Sequence, residues 1–167
     1  MATTYEAIAT VTVGSGGAAS ITFSSIPATY TDLEVVISAR STGADPNIMI
    51  RFNSSSSNFT QRRLFSDGST LISAGTYGEW AAWATASTFT ALTFGNSSIY
   101  IPNYRSSNYK PFSGDGTGEN NSTTNYQTLS AALWSDTSAI TSVSFEMGSS
   151  YNFAEYSTAT LYGIKNS

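Results

Sequence analysis

Residues 32–40 read "DLEVVISAR", in which Leu33, Val35, Ile37 and Ala39 alternate with Glu34, Val36, Ser38 and Arg40. Successive strand side chains point to opposite faces, so this period of two marks a half-buried β-strand whose apolar face needs a second layer to cover it. The nature of that layer decides the fold.

The flanking sequence supplies more strands. Upstream, Pro27 in "IPATY" marks an extended connector. Before it, "AIATVTV" at 7–13 alternates Ala7, Ala9, Val11 and Val13 with Ile8, Thr10 and Thr12; "GSGG" at 14–17 follows, and "ASITF" at 19–23 sets Ile21 and Phe23 on one face. Strand, glycine turn and strand predict a β-hairpin. Downstream, the Asp45-Pro46 turn signal precedes an apolar "NIMIRF" at 47–52. Further strands are predicted at 88–94 (TFTALTF), 97–104 (SSIYIPNY), 126–134 (YQTLSAALW), 140–147 (ITSVSFEM) and 159–164 (ATLYGI). Leu129, Ala131 and Leu133 share one face, as do Val143, Phe145 and Met147. The run Leu161–Ile164 lies close to the last residue, and an apolar, β-prone terminus is expected to dock as a strand inside a sheet. Between 53 and 80 the pattern weakens, leaving a helical turn, a short strand or a long loop open.

No segment sustains a 3.6-residue apolar period. About ten short strands separated by Gly, Ser, Asn and Pro predict an all-β fold, an antiparallel two-sheet β-sandwich of jelly-roll-like type, with residues 1–167 forming one domain.

Composition narrows the chemistry. The chain has no cysteine and no histidine, which removes thiol nucleophiles, thiolate metal sites and disulfides together with the commonest general base and zinc ligand. An enzyme is not expected, nor a cofactor. Only 11% of residues are charged, against about 25% in an average soluble protein. Lys and Arg number 7 against 11 Asp and Glu, for a net charge of −4, so no basic stripe is available to neutralise nucleic-acid phosphates. The N-terminus lacks the charged and apolar regions of a secretion signal, and no apolar run approaches the about 18 residues of a membrane span. A weakly charged exterior containing Tyr and Trp resembles a protein-contact surface.

Several constellations carry candidate chemistry. "SGDGTGENNS" at 113–122 is expected to be a Gly-rich inter-strand loop, in which Asp115, Glu119 and Asn120 are weak candidates for a hard-cation site, although their spacing fits no EF-hand. Its glycines lack the Lys-Ser/Thr of a phosphate loop. Asp32 and Glu34 share a strand face roughly 6 to 7 Å apart, the minimum for a glycosidase pair, and equally an ordinary solvated face. Tyr77, Trp80 and Trp83 in "YGEWAAW", with Tyr100, Tyr104 and Tyr109 in "IYIPNYRSSNYKPF", are candidates for core packing, subunit contact or sugar stacking. The Asn-X-Ser/Thr triplets at Asn53, Asn58, Asn96, Asn120 and Asn121 are chance matches in a Ser- and Thr-rich chain.

The segments "ALWSDTSAITSVSFEMGSSYNFAEYSTATLYGIK", "IPATYTDLEVVISARS" and "IYIPNYRSSNYKPF" resemble small virion proteins of tailed bacteriophages. The likeness covers most of the chain outside about 53 to 96 and departs at Glu155–Tyr156, where a Gly-Ser pair is commoner. It implies a β-sandwich assembled on the outer surface of the particle and made in the host cytoplasm, either as a capsid decoration (cement) protein or as a tail or fibre component that binds polysaccharide. The implied partners are the major capsid protein or other virion proteins, together with further copies of the chain as a dimer or trimer. Contact is expected through loops around 53 to 72 and 76 to 84. Neither nucleic acid nor membrane is an expected partner. With no stalk or coiled-coil trimeriser in view, decoration is the leading expectation.

Overall fold

The computed structural model describes residues 4–121 and 125–165, and its regular structure is β apart from one 3₁₀ turn, Gly148–Ser150, among the described residues. The strands are β1 (Thr4–Thr12), β2 (Ser20–Phe23), β3 (Asp32–Ala39), β4 (Asn47–Phe52), β5 (Phe59–Ser66), β6 (Leu71–Tyr77), β7 (Trp80–Trp83), β8 (Gly95–Ile101), β9 (Lys110–Glu119), β10 (Asn125–Trp134), β11 (Val143–Met147) and β12 (Thr158–Lys165). They form two antiparallel sheets, an eight-stranded one ordered β1-β12-β3-β8-β9-β10-β5-β6 and a four-stranded one ordered β2-β11-β4-β7.

The order contains a recognisable frame. With β5, β6, β9 and β10 set aside, the rest run β1-β12-β3-β8 and β2-β11-β4-β7. Successive strands of this frame alternate between the sheets except from β4 to β7, which is the jelly-roll arrangement. The other four strands are two hairpins, β5–β6 and β9–β10, inserted in the β4–β7 and β8–β11 connections. They join through β10 and β5 and through β8 and β9, and so extend the larger sheet as a wing.

The core follows the alternation. Leu33, Val35, Ile37 and Ala39 of β3 point inward against Ile48, Ile50 and Phe52 of β4 and Val143, Phe145 and Met147 of β11, all buried. β12 lies between β1 and β3 with Leu161 fully buried, so the closing strand is an interior one.

Residues 7–23 are not a hairpin. β1 pairs with β12 and β2 with β11, in different sheets. Gly16 and Gly17, with φ of +91° and +78°, turn the chain from one sheet to the other, and a Cβ on Gly17 would lie 2.6 Å from the Phe153 carbonyl oxygen. The alternation specified strands, but both partners come from the C-terminal third of the chain.

Residues 88–94 are a loop and not a strand. The Arg40 guanidinium takes up its carbonyls, donating to Ser87 O, Phe89 O, Thr90 O and Thr93 O at 2.9–3.1 Å. The weak segment 53–80 holds the β5–β6 hairpin and β7. In the hairpin turn Asp67 Oδ1 accepts from the Ser69 and Thr70 amides and the Ser69 hydroxyl at 2.8–2.9 Å.

The expected loop at 113–122 is for the most part strand β9, with alternate residues buried. Gly114, Gly116 and Gly118 face inward, where β7 crosses. A Cβ on Gly114 would stand 2.0 Å from Ala81 O, and one on Gly116 would stand 2.3 Å from Ser97 Oγ. That hydroxyl ties β7 to β8, accepting from the Trp83 amide at 3.1 Å and donating to the Trp83 carbonyl at 2.8 Å. Aromatic groups pin both ends of the wing. Phe52, Phe59, Phe112 and Trp134 meet with ring centroids 5.3–6.2 Å apart. At the other end Trp83 packs on Phe65 and Tyr126, and Tyr126 on Phe89, at 5.1–6.2 Å.

Two glycine exchanges are expected to act in opposite directions. Gly114→Ala forces β7 away from β9 and lowers unfolding free energy in urea by about 1–3 kcal/mol, the cost of overpacking. Tyr156 is exposed with a left-handed φ of 68°. Tyr156→Gly is expected to raise stability by about 0.5–1 kcal/mol in the same measurement by relieving the Cβ clash of that conformation.

Candidate interaction surface

The middle of the wing, between its two aromatic ends, turns leucine outward and polar side chains inward. Leu129 of β10 lies directly opposite Leu64 of β5, with Asp115 of β9 on its other side. Strand alternation places Arg62, Leu64 and Ser66 with Gln127, Leu129 and Ala131 on the outer face, and Leu71 beside Ser66. Leu71, Leu129 and Leu64 are 72%, 59% and 46% exposed. The inward side of the same strands carries Gln61, Arg63, Thr128 and Ser130, with Gln61, Thr128 and Ser130 buried.

Arg63 is held in this interior by rings. Its guanidinium carbon sits 4.5 Å from the Trp80 ring centroid and 4.8 Å from that of Phe65, and Nη1 donates to Asn47 Oδ1 at 2.8 Å. Burial lowers its pKa from the usual arginine value. Lys110, fully buried at the start of β9, donates to the Asn108 carbonyl at 2.6 Å and is likewise shifted down by burial.

Outside, the wing presents two shallow grooves. One of about 740 Å³ is lined by Thr60, Arg62, Gly75, Ala131 and Leu133. The other, of about 330 Å³, is lined by Leu64, Leu71, Asp115 and Leu129. Leucine held in water forgoes about 1.5–3 kcal/mol relative to full burial, so a face of this kind gains free energy by being covered.

A second outer region lies on the jelly-roll part of the larger sheet. Asp32 is 3% exposed. Its Oδ2 accepts from the Tyr100 hydroxyl at 2.8 Å and its Oδ1 from the Asn103 amide at 2.7 Å, fixing the turn after β8. Glu34 Oε1 accepts from Ser98 Oγ at 2.7 Å. Burial, and then the hydrogen bond to Asp32, pushes the Tyr100 phenol up to about 12. Burial followed by Glu34 also raises the Tyr5 phenol. Asp32 and Glu34 therefore act as acceptors in a cross-strand network with tyrosine.

The six aromatic candidates do not converge. Trp80 and Trp83 belong to the cluster around Arg63, Trp83 being buried and Trp80 half-buried. Tyr104 is buried and donates its hydroxyl to the Pro27 carbonyl, stapling the 102–109 loop to the connector before β3. Tyr100 stands on the outer face of β8 and Tyr109 is exposed in the loop. The side chain of Tyr77 lies outside the described residues. The expected contact loop at 53–72 consists mainly of β5 and the hairpin turn, and 76–84 includes β7. Asp115 and Glu119 are exposed on β9, four residues and about 13 Å apart by strand rise, with Asn120 just past the strand. Among the described residues no group of three or more His, Cys, Asp or Glu could hold a metal ion.

Leu64, Leu71, Leu129 and Arg62 escaped sequence reading. The one signal was the shared face of Leu129, Ala131 and Leu133, which reads as a core face until the sheet shows that it points out. No protein-family model, curated protein or solved structure matches the chain.

The Tyr100 shift has a signed consequence. Its folded pKa of about 12 exceeds the ordinary 10.0, so the stabilisation is fully present below pH 10 and is lost as pH rises toward 12. Chemical denaturation at stepped alkaline pH is expected to show that decline in the parent chain and a shallower one in Tyr100→Phe.

Proposed function

We propose that the chain is a structural protein of a bacteriophage particle, a capsid decoration protein that stabilises the shell by bridging capsid subunits. The observation that carries this reading is the outward leucine face of the wing, a contact surface built from strands that a jelly roll does not need. The likeness to small virion proteins supports it, and so does the jelly-roll frame, an architecture used by viral capsid proteins, although fold alone never assigns function. Low surface charge limits repulsion between neighbouring copies, and many modest contacts add up through multivalency. Binding to the assembled shell favours that state by mass action.

In this role the protein works by contact area, without a cofactor or bond-making chemistry, on the outside of the particle after synthesis in the host cytoplasm. Its partners are the major capsid protein or other virion proteins. A second reading, a tail or fibre component that binds host polysaccharide, is favoured by exposed Tyr5 and Tyr100 flanking Glu34, since aromatic faces beside a carboxylate suit sugar stacking and hydrogen bonding.

Quantitative gels of purified particles are expected to show copy numbers commensurate with the capsid subunit, and shells stripped of the protein are expected to open at lower temperature. A few copies per particle together with binding to host polysaccharide on a glycan array would transfer the assignment to the second reading.

A further inference from the structure

We infer that the outer face of the wing is a two-fold contact between copies of this chain. The inference deepens the reading of this face as a contact surface and adds the identity of its occupant.

The polarity of β5 and β10 is the first observation. In the middle of the wing these strands put Leu64 and Leu129 outward and Gln61, Thr128 and Ser130 inward, between ends whose Phe59, Phe65, Tyr126 and Trp134 point in. The mid-strand positions depart from the usual sheet pattern, in which apolar side chains are turned to the core. A one-residue slip would bring the leucines inward only by turning Phe59 and Trp134 out, and the pairing of β10 with β5 and β9 runs without a register shift. The aromatic ends of the two strands thus fix this register, and the leucines between them are left to be covered from outside the chain.

The second observation is charge placement, which selects a copy of the same surface. Leu64 and Leu129 form the centre of the patch. Asp115 stands one strand beyond Leu129, and Arg62 two residues along β5 from Leu64. By strand spacing and rise each lies about 7 Å from the midpoint of the leucine pair. A two-fold axis in the plane of contact, bisecting the angle between them, lays leucine on leucine and sets Arg62 of each copy over Asp115 of the other. Such an isologous contact closes on itself. Neither residue joins an ion pair among the described residues, whose salt bridges are Arg51–Glu79, Arg51–Glu146 and Lys165–Glu6. Arg62 lies across Gly75, where a Cβ would meet its guanidinium Nη1 at 2.2 Å, and this keeps the cation low against the sheet.

Size sets the strength. Four strands at about 4.8 Å, over the length of β6, give a patch of about 19 by 23 Å, so a pair of faces covers about 900 Å², the weak end of specific interfaces. The free chain therefore dimerises with a Kd of micromolar order or weaker, and the high local concentration on a particle makes the contact count.

Sedimentation velocity of the full chain from about 1 μM to about 1 mM tests this, with circular dichroism confirming that each variant is folded. The expected result is a concentration-dependent dimer that Leu129→Ser weakens at least about tenfold. Arg62→Asp alone and Asp115→Arg alone each weaken it, and the double reversal restores it, as only a copy-to-copy pairing of these residues requires. A chain that stays monomeric throughout, a dimer indifferent to Leu129→Ser, or a double reversal no better than the singles would overturn the inference. A monomeric chain that binds purified particles through Leu129 would overturn the dimer while leaving the virion reading in place.

Discussion

The close approach of β7 to the inward glycines of β9 is the constraint on which the rest of the molecule depends. β7 is the edge of the smaller sheet, and at Gly114 its backbone occupies the space that any side chain would claim. Because glycine offers no side chain to bury there, contact is made by backbone and by Ser97, whose hydroxyl bonds the backbone amide and carbonyl of Trp83. Trp80 and Trp83 then reach the wing, where Arg63 and Phe65 receive them. Two aromatic groups at the strand ends compensate for the apolar area the glycines forgo, since ring pairs add about 0.5–1.5 kcal/mol beyond their burial.

With β9 fixed, the orientation of β10 and β5 follows. Adjacent strands pair residue by residue, so the side of β9 that faces β7 decides which side of β10 faces inward. That side carries Thr128 and Ser130 between Tyr126 and the buried Trp134, and the side bearing Leu129 is turned out. A buried polar group costs free energy unless it is bonded, and an exposed leucine forgoes burial. The wing accepts both costs, which is intelligible if its outer face is a surface for assembly. The jelly-roll frame needs no such explanation, because its apolar residues already face one another.

Much of the frame was legible in the sequence. β3, β4, β11 and β12 each carry a regular apolar period, and each lies where that period placed it. Of the wing, β10 was legible as a strand at 126–134, whereas β9 and β5 were not, because neither shows an apolar period. β9 alternates glycine with Ser, Asp, Thr and Glu, a period of two written in size and not in hydrophobicity, so it reads as a loop. β5 alternates Gln61 and Arg63 with Arg62 and Leu64, which gives no apolar side. Residues 88–94 mislead in the opposite sense, because Phe89, Leu92 and Phe94 look strand-like while Arg40, distant in sequence, claims the backbone carbonyls. The aromatic candidates shared that limitation, since spacing along the chain cannot show that Tyr104 is core while Tyr109 is exposed.

By itself, the amino-acid sequence determined the class of the fold: short alternating runs and the lack of a helical period allow little besides stacked antiparallel sheets, because alternation is a local property of neighbouring side chains. It also settled that no thiol or imidazole chemistry is available. The tertiary structure alone decided which sheet each strand joins, that β1 and β2 part company, and that Leu64, Leu71 and Leu129 meet on an open face. Those outcomes rest on backbone pairings and close approaches between residues far apart in the chain, and no local pattern encodes the partner of a hydrogen-bonding edge.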